Sequence, residues 1–588
     1  MRIATLNRDH CQPRKCQYEC IHFCPRVRMG DETIVKGENG KPIISEPLCA
    51  GCGICVHKCP HGAIKIIQLP EELKTDLIHQ YGKNGFRLFR LPTPKQGLVV
   101  GLMGPNGIGK TTAISILCGL TIPNLGDYEA KPDWDAVIEK FAGSPLYEYL
   151  RDVANGKIRS AMKPQYVDKI AAVSKGTVKD LLAKVDEGNR LDEVAMQLEI
   201  KNTLPKDVKK LSGGELQRVA MAATLLKDAD IYFFDEPTSY LDIYQRMKVS
   251  KIIQGVAKAK QVMVIEHDLA IMDFLADNVH IMYGVQGAYG IMAQPRTVRN
   301  AINTFLDGYL VEENVRTRDW KIEFQTHPPR ADLTSNYILT FEKLKKSFPG
   351  FTLDTQPGKI REGEVIGILG PNATGKTTFV KMLAGEEKPD EGTISTTVKV
   401  AYKPQYIASN YDGQVIDLFY TELGQAFEKN FFKNEIEHPL NLKVLYNRQY
   451  NELSGGELQR VAIGLCLGKE ANLYLLDEPS AYLDVNQRME AAKVIRRVME
   501  KSATTGLIVD HDIYFIDLVS DSLMVFQGDS STYGIGVGPY DLRDGMNTFL
   551  KNIDITFRRD LDTKRPRINK PDSAKDREQK QKGEYYYE

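Results

Sequence analysis

The chain has 588 residues, which is too many for one hydrophobic core, so we expect about three to five domains. Hydrophobic residues make up 42% and charged residues 26%, as in soluble globular proteins. Lys+Arg and Asp+Glu both number 77, so the net charge of zero gives no indication of nucleic-acid binding. No apolar run is long enough to cross a bilayer, and the N-terminus lacks the apolar segment of a signal peptide, which predicts a cytoplasmic protein.

Eight of the ten cysteines lie within the first 59 residues, in two runs. In a cytoplasmic chain this density indicates metal ligands rather than disulfides. The second run has the spacing C-x2-C-x2-C-x3-C-P, which holds [4Fe–4S] clusters in bacterial ferredoxins, and the first run is a looser version of it. In such pairs the fourth cysteine of each run ligates the other cluster. We therefore predict a ferredoxin-like α+β domain over residues 1–72 with two clusters, held by Cys49, Cys52, Cys55 and Cys24 and by Cys11, Cys16, Cys20 and Cys59.

Two questions about this domain stay open at the level of sequence. Sets of four cysteines also bind zinc, although three ligands as close as C-x2-C-x2-C crowd the usual zinc arrangement. The clusters could transfer electrons or serve a structural role, and no flavin or other redox motif occurs elsewhere in the chain.

Two segments match the G-x4-G-K-T phosphate-binding loop, at residues 104–111 and 370–377, each after an apolar strand. The backbone N–H groups of such a loop bind phosphates, its lysine reaches the β- and γ-phosphates, and its threonine ligates Mg²⁺. Ala373 replaces Gly107 in the second copy, which predicts that this position does not need a positive φ. The predicted nucleotide contacts are Asn106, Gly107, Gly109, Lys110, Thr111 and Thr112, and Asn372, Gly375, Lys376, Thr377 and Thr378.

An acid pair ends a further apolar strand in each copy, in IYFFDEP and LYLLDEP. Asp235 and Asp477 are predicted to hold Mg²⁺, and Glu236 and Glu478 to polarise the attacking water. Repeated residues on either side of these pairs complete the predicted sites. His267 and His511 are assigned to the γ-phosphate as catalytic residues, and Gln165 and Gln405 to Mg²⁺.

The string LSGGELQRVA occurs at residues 211–220 and 453–462. Its Ser and Glu form a capping box that opens a helix, but a capping box does not explain the two glycines. The glycines would let the positive helix end approach a phosphate, and within each copy the phosphates already have a loop. We therefore predict head-to-tail pairing, in which the nucleotide at Lys110 meets the second string and the nucleotide at Lys376 meets the first. The predicted contacts are Ser212, Gly214, Ser454 and Gly456, with SYLD (239–242) and AYLD (481–484) along the seam.

Adenine needs an aromatic or apolar shelf. Tyr81 and Phe86 before the first phosphate loop, and Phe351 before the second, are the predicted shelf residues, although each could instead belong to the hydrophobic core.

The remaining sequence predicts the domain division. The first nucleotide-binding domain covers residues 73–300, with a helix–turn–helix insertion at about 127–160 that either packs on its host or forms a partner surface. A hinge segment at 301–331, a second nucleotide-binding domain at 332–542 and a hinge with tail at 543–588 follow. The repeated Tyr-Gly pairs at 289–290 and 533–534 and the repeated NTFL motifs are predicted to brace the two domains. The arginines that follow each NTFL motif suit phosphate backbones, and beyond about residue 570 we expect a solvated tail.

Taken together, these motifs closely resemble one family, the E-type ATP-binding cassette proteins, which are the ribosome-recycling ATPases also called RNase L inhibitor proteins. The resemblance covers nearly the whole chain and implies an α/β fold of two ATP-binding cassettes in head-to-tail arrangement with a ferredoxin-like α+β domain at the N-terminus. It implies a monomer that uses ATP, Mg²⁺ and two [4Fe–4S] clusters. ATP-driven closure of the cassettes would move the cluster domain and split ribosomes, aided by a release-type termination factor. The protein could then remain on the small subunit, in contact with rRNA and ribosomal protein.

Three functions of other classes stay open. An ATP-coupled iron–sulfur redox enzyme would need reduction of the clusters linked to turnover. The ATPase subunit of a transporter would need a membrane partner. A passive scaffold would work without hydrolysis, against which the paired Glu236 and Glu478 argue.

Overall fold

The computed structural model describes residues 2–8, 10–165, 167, 174–324, 336–395, 398–405, 407, 411–529 and 532–587. The chain forms two compact units. The first contains Met1–Tyr240, Lys248–His267 and Leu275–Trp320, and the second contains Leu241–Met247, Asp268–Phe274 and Lys321–Glu588. The predicted boundary at residues 331–332 lies outside the described residues.

The N-terminal domain of the first unit has two small antiparallel sheets and three short helices. Strand β1 (Arg2–Leu6) pairs with β4 (Ile64–Gln68), and β2 (Ile34–Lys36) pairs with β3 (Pro42–Ile44). The helices are Glu19–His22, Pro25–Arg28 and Ile54–Lys58. Their core contains apolar side chains such as Ala4 and Ile64 together with the thiols of buried cysteines, so the cysteine runs form part of the packing.

The rest of the first unit is built on a nine-stranded sheet. Its strands are β5 (Leu77–Gln80), β6 (Arg87–Phe89), β7 (Val99–Met103), β8 (Ser160–Lys163), β9 (Ile231–Asp235), β10 (Gln261–Ile265), β11 (Asn278–Val285), β12 (Tyr289–Met292) and β13 (Arg296–Thr297). They lie in the order β5-β6-β12-β11-β7-β10-β9-β8, with β13 on β11. Strands β11, β7, β10, β9 and β8 are parallel, so their carboxyl ends share one edge. In open α/β sheets ligands bind at this edge.

Helices cover this sheet on its apolar faces. They are Lys110–Leu117, Trp134–Lys140, Tyr147–Ala154, Val178–Ala183, Leu191–Gln197, Gly213–Leu225 and Val298–Asp307, with 3-10 turns at Glu71–Lys74, Lys201–Thr203 and Val208–Lys210. Two further helices, Ile243–Ala257 and Leu269–Leu275, are divided between the units, since residues 243–247 and 269–274 belong to the second unit. A two-stranded ribbon of β14 (Tyr309–Leu310) and β15 (Val315–Arg316) follows.

The predicted insertion contains the helices Trp134–Lys140 and Tyr147–Ala154. The side chains of Val137 and Leu150 are fully buried in the core around the phosphate loop, and the Tyr149 hydroxyl donates to the Leu117 carbonyl at 2.8 Å. The apolar faces of the insertion therefore pack on its host.

The second unit repeats the same architecture. Its strands are β16 (Tyr337–Phe341), β17 (Lys345–Phe348), β18 (Phe351–Thr355), β19 (Gly358–Arg361), β20 (Val365–Leu369), β21 (Ile394–Ser395), β22 (Val400–Lys403), β23 (Leu473–Asp477), β24 (Thr505–Val509), β25 (Ser522–Gln527) and β26 (Tyr533–Asp541). The main sheet has the order β17-β18-β26-β25-β20-β24-β23-β22, which matches the order from β5 to β8 in the first sheet, and β19-β16-β21 form a separate sheet. The sequence repeat is therefore a repeat of the fold.

The helices of the second unit follow the same plan. They are Lys376–Ala384, Val415–Leu423, Asn430–Phe432, Gly455–Gly468, Val485–Ser502, Ile513–Val519, Leu542–Asn552 and Ala574–Lys582, with 3-10 turns at Gly424–Glu428, Lys443–Leu445 and Tyr450–Glu452 and a π-helical turn at Lys433–Glu437. Among the described residues, no helix combines the length and the apolar character that a membrane crossing requires.

The C-terminal segment is folded, so the prediction of a solvated tail beyond residue 570 is wrong. Strands β27 (Phe557–Arg559), β28 (Pro566–Ile568) and β29 (Tyr586–Tyr587) form one sheet, next to the helix Ala574–Lys582. The polar residues Asp576 and Gln579 are buried, where Thr556 donates to Asp576 at 2.5 Å and Gln579 donates to the Phe557 carbonyl at 2.9 Å. Buried hydrogen bonds thus order a stretch whose composition indicates solvation.

The arginines of this segment form ion pairs and hydrogen bonds within the second unit, which corrects their assignment to phosphate backbones. Arg559 forms a two-pronged pair with Asp517 at 2.8 and 3.0 Å. Arg565 is fully buried and donates to Asp273 and to the Tyr514 hydroxyl. Asp273 and Asp517 are equivalent positions of the repeat, each six residues after His267 or His511. The segment is therefore ordered by a repeated arginine–aspartate contact.

Replacing Asp517 with Ala should destabilise the second unit by about 3–5 kcal/mol, because it leaves a buried guanidinium group without its carboxylate. Chemical denaturation with a probe in the second unit would measure the loss. Glu578→Ala is the matched control, since the Glu578 side chain is 57% exposed in its pair with Lys582 and should contribute little to stability. Equal effects of the two substitutions would contradict the importance of the buried pair.

Candidate nucleotide and iron–sulfur sites

The two phosphate loops follow the central strands β7 and β20, at the carboxyl edge of each sheet. The Lys110 ammonium group donates to the carbonyls of Gly104 and Pro105, both at 2.7 Å. Lys376 makes the same two contacts in its own loop, at 2.9 and 2.6 Å. Both ammonium groups are therefore held over the loops in which the predicted phosphates would lie.

Ala373 does not follow the prediction made from its sequence. Its φ is +59°, close to the +70° of the equivalent Gly107. The loop needs this left-handed conformation to turn its N–H groups toward one point, whichever residue occupies the position. The second loop therefore keeps the shape of the first with a strained alanine.

We expect Ala373→Gly to raise the free energy of unfolding of the nucleotide-free protein by roughly 0.5–1 kcal/mol. Glycine removes about 1–2 kcal/mol of left-handed strain and loses part of that gain through the greater freedom of the unfolded chain. Denaturant titration measures the change, and Ala183→Gly at an exposed helix end is the control, with a predicted loss of up to about 1 kcal/mol. A loss of stability for Ala373→Gly would contradict this account.

The repeated Tyr-Gly pairs support the phosphate loops, and their assignment to a brace between the domains is wrong. Both lie in strands of their own sheets, β12 and β26. A Cβ atom on Gly290 would lie 1.9 Å from the Ile108 carbonyl oxygen, and one on Gly534 would lie 2.1 Å from that of Thr374. Only glycine lets the strand approach the loop this closely.

The threonine that ends each loop meets the first acid of the pair. The hydroxyl of Thr111 donates to Asp235 at 3.1 Å, and that of Thr377 donates to Asp477 at 2.7 Å. Burial, followed by the charge of Glu236, raises the pKa of Asp235 to about 6. Burial also raises the pKa of Asp477. A divalent cation at this position would relieve the repulsion within the acid pair.

The second acid of each pair is contacted by the predicted glutamine and histidine. Gln165 donates to the Glu236 carboxylate at 2.6 Å, and the His267 ring nitrogen lies 3.4 Å from it. In the second copy Gln405 donates to Glu478 at 2.7 Å, and His511 lies at 3.6 Å. The side-chain nitrogens of Gln165 and Gln405 are thus engaged with the glutamates, and their ligation of Mg²⁺ remains a prediction.

The electrostatics of the second copy suit a base. Burial, with the charges of Asp477 and Asp510, raises the pKa of Glu478 to about 7. Burial, with the charges of Lys376 and Arg246, lowers the pKa of His511 well below its usual value, so the ring is neutral. A carboxylate with a pKa near neutrality is well matched to proton transfer from water.

Both LSGGELQRVA strings begin helices through capping boxes, as the Ser and Glu of each string predict. Glu215 accepts the Ser212 N–H at 3.0 Å, and Glu457 accepts the Ser454 N–H at 2.9 Å. The first glycine of each string has a local reason as well. A Cβ atom on Gly213 or Gly455 would lie 3.1 or 3.2 Å from the ring of Tyr240 or Tyr482, which belong to SYLD and AYLD. The contact of Ser212, Gly214, Ser454 and Gly456 with a nucleotide therefore remains a prediction.

One contact of the second unit bears on the predicted seam. The backbone N–H of Asn372, in the second phosphate loop, donates to the carboxylate of Asp242 at 2.9 Å. Asp242 is the last residue of SYLD and belongs, like this loop, to the second unit. The pairing of the two cassettes along SYLD and AYLD remains a prediction.

The predicted adenine shelves lie beside the phosphate loops. A Cβ atom on Gly109 would lie 2.8 Å from the ring of Phe86, and one on Gly375 would lie 3.2 Å from the ring of Phe351. The hydroxyl groups of the exposed Tyr81 and of Thr112 form a hydrogen bond at 3.2 Å. An aromatic ring thus borders each loop at the equivalent glycine.

The eight cysteines of the N-terminal domain gather in two sets that cross between the runs. A cavity is lined by Cys11, Cys16, Cys20 and Cys59. Burial and the neighbouring thiols Cys59, Cys16 and Cys11 raise the pKa of Cys20 to about 12. Burial and the thiols Cys49, Cys52 and Cys24 raise the pKa of Cys55 to about 12.

This arrangement fits iron–sulfur clusters. The thiols of Cys11, Cys16, Cys20 and Cys59 line one cavity. Among the described residues, no group of three or more His, Cys, Asp or Glu side chains is placed to hold a single metal ion. These four thiolates would hold a cubane cluster in such a space, and the charge of its iron would offset their mutual repulsion.

The cluster domain is joined to the nucleotide-binding part of the first unit by a residue that the sequence did not reveal. Asn84 lies between the predicted adenine residues Tyr81 and Phe86, with a φ of +54°. Its buried side chain donates to the carbonyls of Ala4 and Ile44, both at 3.0 Å, and accepts the Ile44 N–H at 2.9 Å. Arg87 adds an ion pair with Glu46 at 2.8 Å. The adenine-side loop is therefore directly anchored to the cluster domain.

The fold and these sites define an ATP-binding cassette ATPase with two cassettes and an N-terminal iron–sulfur domain. The model described as "ABC transporter" matches residues 93–239 and 353–481. "Possible Fer4-like domain in RNase L inhibitor, RLI" matches residues 1–32, and "4Fe-4S binding domain" matches residues 42–65.

Full-length relatives identify the family. Translation initiation factor RLI1 of Saccharomyces cerevisiae is 43% identical, over 100% of this chain and 98% of its own length. A model of ribosome-bound archaeal Pelota and ABCE1 matches at 52% identity and a TM-score of 0.94, covering 100% of this chain and 99% of the other. A crystal structure of archaeal ribosomal stalk protein aP1 with archaeal ribosome recycling factor aABCE1 matches at 52% identity and a TM-score of 0.84, covering 88% and 100%. The chain belongs to the RNase L inhibitor family of ATP-binding cassette ATPases, the E family that includes RLI1 and ABCE1.

Proposed function

We propose that this chain is a cytoplasmic, ATP-driven ribosome-recycling factor. The observation that carries the proposal is the direct anchoring of a cluster domain, through Asn84, to the loop beside a predicted ATP site. A change in that loop on ATP binding would be transmitted to the cluster domain. The related solved structures support the choice of target, since one relative is ribosome-bound with Pelota and another is a ribosome recycling factor in complex with a stalk protein.

The proposed cycle assigns a role to each predicted residue. The phosphate loops and shelf residues bind two ATP molecules with Mg²⁺ at Thr111, Thr377 and their aspartates. Closure of the cassettes on ATP drives the cluster domain against the ribosome and separates the subunits. Glu236 and Glu478, aided by His267 and His511, then activate water, and hydrolysis reopens the cassettes. The work comes from tighter binding of ATP to the closed state than to the open one.

The proposed cofactors and domains follow the predicted scheme. The two crossed thiol sets would each hold a [4Fe–4S] cluster, whose role is to make the domain rigid. The domains are residues 1–72, 73–300, 301–331, 332–542 and 543–588. The last of these includes a folded C-terminal segment rather than a free tail.

The proposed partners are the ribosome, then its small subunit through rRNA and ribosomal protein, and a release-type termination factor. The chain itself would act as a monomer.

Gradient sedimentation of ribosomes tests the proposal. Cluster-loaded protein is mixed with ribosomes and ATP, with and without a termination factor, and the fraction of separated subunits is measured. Separation that requires both ATP and the protein is the expected result. Intact ribosomes under all conditions, while ATP turnover continues, would overturn the proposal.

A further inference from the structure

Each cassette buries a lysine that none of the assigned roles uses. Lys163 ends β8 and Lys403 ends β22, two residues before Gln165 and Gln405. Their exposed fractions are 0% and 1%. A buried ammonium group is unfavourable unless it is fully paired, so its contacts should explain its presence in both copies.

The contacts are main-chain carbonyls around the predicted catalytic glutamate. The Lys163 ammonium group donates to the carbonyls of Asp235 and Glu236, at 2.9 and 3.0 Å. Lys403 donates to those of Asp477 and Glu478, at 2.6 and 3.2 Å. These two carbonyls belong to the successive peptide groups on either side of the glutamate Cα, so one ammonium group holds both.

The glutamate backbone has an unusual conformation that needs such support. The φ of Glu236 is +47° and that of Glu478 is +48°, which L-residues rarely adopt. The carbonyl of each glutamate accepts a second hydrogen bond from the string helix, from Gln217 or Gln459, both at 2.7 Å. The N–H of each donates to a neighbouring strand, to Ile265 at 2.9 Å or Val509 at 2.7 Å.

These contacts determine where the carboxylate points. When both peptide groups beside a Cα are fixed, the direction of the Cα–Cβ bond is fixed, and only the side-chain torsions remain free. Gln165 or Gln405 then holds the carboxylate itself. The lysine at the end of the strand therefore positions the main chain of the glutamate, and the glutamine two residues later positions its side chain.

We propose that Lys163 and Lys403 are positioning residues for ATP hydrolysis, which aim the carboxylates of Glu236 and Glu478 by holding the carbonyl groups on both sides of them. The inference rests on the proposed catalytic role of the glutamates. Its test uses ATP hydrolysis without ribosomes, so its failure is separate from a failure of ribosome recycling.

The test replaces both lysines with Met, which has a similar volume and no donor. A small misplacement of a catalytic group lowers turnover strongly, so kcat should fall about 10- to 100-fold. The KM for ATP and the affinity for a fluorescent ATP analogue should change by less than about threefold, since the lysines do not contact the predicted nucleotide site. The control is Lys157→Met with Lys399→Met, because these two exposed lysines precede the same strands. It should keep wild-type kcat.

A double-mutant cycle separates positioning from a general structural role. The Lys→Met pair is combined with Glu236→Gln and Glu478→Gln. If the lysines act through the glutamates, they should add less than about twofold to the loss in that background. A further 10- to 100-fold fall in kcat in the glutamate background would overturn the proposal. So would a wild-type kcat in the Lys→Met pair alone, or a loss of nucleotide binding that parallels its loss of kcat.

A Lys→Gln pair covers the case in which the Met variant does not fold. Glutamine retains a donor that is one bond shorter, so kcat should lie between those of wild type and the glutamate variants, at an unchanged KM. A kcat equal to that of wild type would contradict the requirement for the ammonium contact. The thermal unfolding midpoint of each variant confirms that folded protein is compared.

Discussion

ATP hydrolysis should fall about 100- to 1,000-fold when Glu236 and Glu478 are both replaced by Gln, because the attacking water loses its base. The carboxylates accept hydrogen bonds from Gln165 and Gln405 and lie beside the buried histidines His267 and His511. Burial raises the pKa of Glu478 to about 7. Gln keeps the size and one acceptor of the side chain, so ATP binding should persist. Steady-state phosphate release and binding of a fluorescent ATP analogue measure the two effects.

The matched control is Glu470→Gln. Glu470 precedes β23, the strand that ends at the acid pair, and its side chain is 69% exposed. It should hydrolyse ATP at the wild-type rate. A double glutamate variant that retained more than about a tenth of the wild-type rate would show that another group activates the water.

Replacing Cys24 with Ser should remove one cluster and abolish subunit separation while ATP binding remains. Cys24 is buried in the set with Cys49, Cys52 and Cys55, although it belongs to the first run. Iron content should fall from about eight to about four atoms per chain, since each cluster contains four. The cluster domain would lose one of the two clusters that we propose make it rigid.

Chemical analysis of iron and sulfide, together with the sedimentation assay, measures these effects. Cys118→Ser is the control, because Cys118 lies in the first cassette and outside both sets. It should keep both the iron and the separation of subunits. Full iron content in the Cys24 variant would contradict its assignment as a cluster ligand, and normal separation with half of the iron would contradict the need for both clusters.

The chemistry of the sites could be predicted from the sequence because phosphate loops, acid pairs and cysteine runs place their functional groups at fixed short spacings. Lys110 and Asp235 are far apart along the chain, but each ends or follows a parallel strand, and parallel strands bring their ends to one edge. The repeat doubled this information, since each motif occurred twice in the same order.

Backbone conformation was harder to predict. Alanine usually avoids positive φ, so Ala373 indicated a relaxed position, yet the shape of the loop imposes φ of +59°. The tight approach of Gly290 to the phosphate loop depends on a strand far along the chain, and the only sequence signal was the repetition of the Tyr-Gly pair.

Buried polar groups were the main source of error. Lys163 and Lys403 lie in the repeated KPQY motif, and their repetition could have indicated that they have a specific role. A lysine is nonetheless expected at the surface. The segment after residue 556 is rich in Arg, Lys and Asp, which indicated solvation or nucleic-acid contact, whereas Arg559, Arg565 and Gln579 are buried in hydrogen-bonded pairs. Composition alone cannot distinguish a polar network from a polar tail.

The central claim is that closure on ATP separates the subunits and that hydrolysis only resets the protein. Gradient sedimentation with the Glu236→Gln/Glu478→Gln protein tests it most directly, at ratios of protein to ribosome from well below one to above one. The account predicts that wild type separates many ribosomes per molecule, whereas the variant with ATP separates at most one each. Failure of the ATP-bound variant to separate any ribosomes, even in excess, would show that hydrolysis itself supplies the work and would contradict the account.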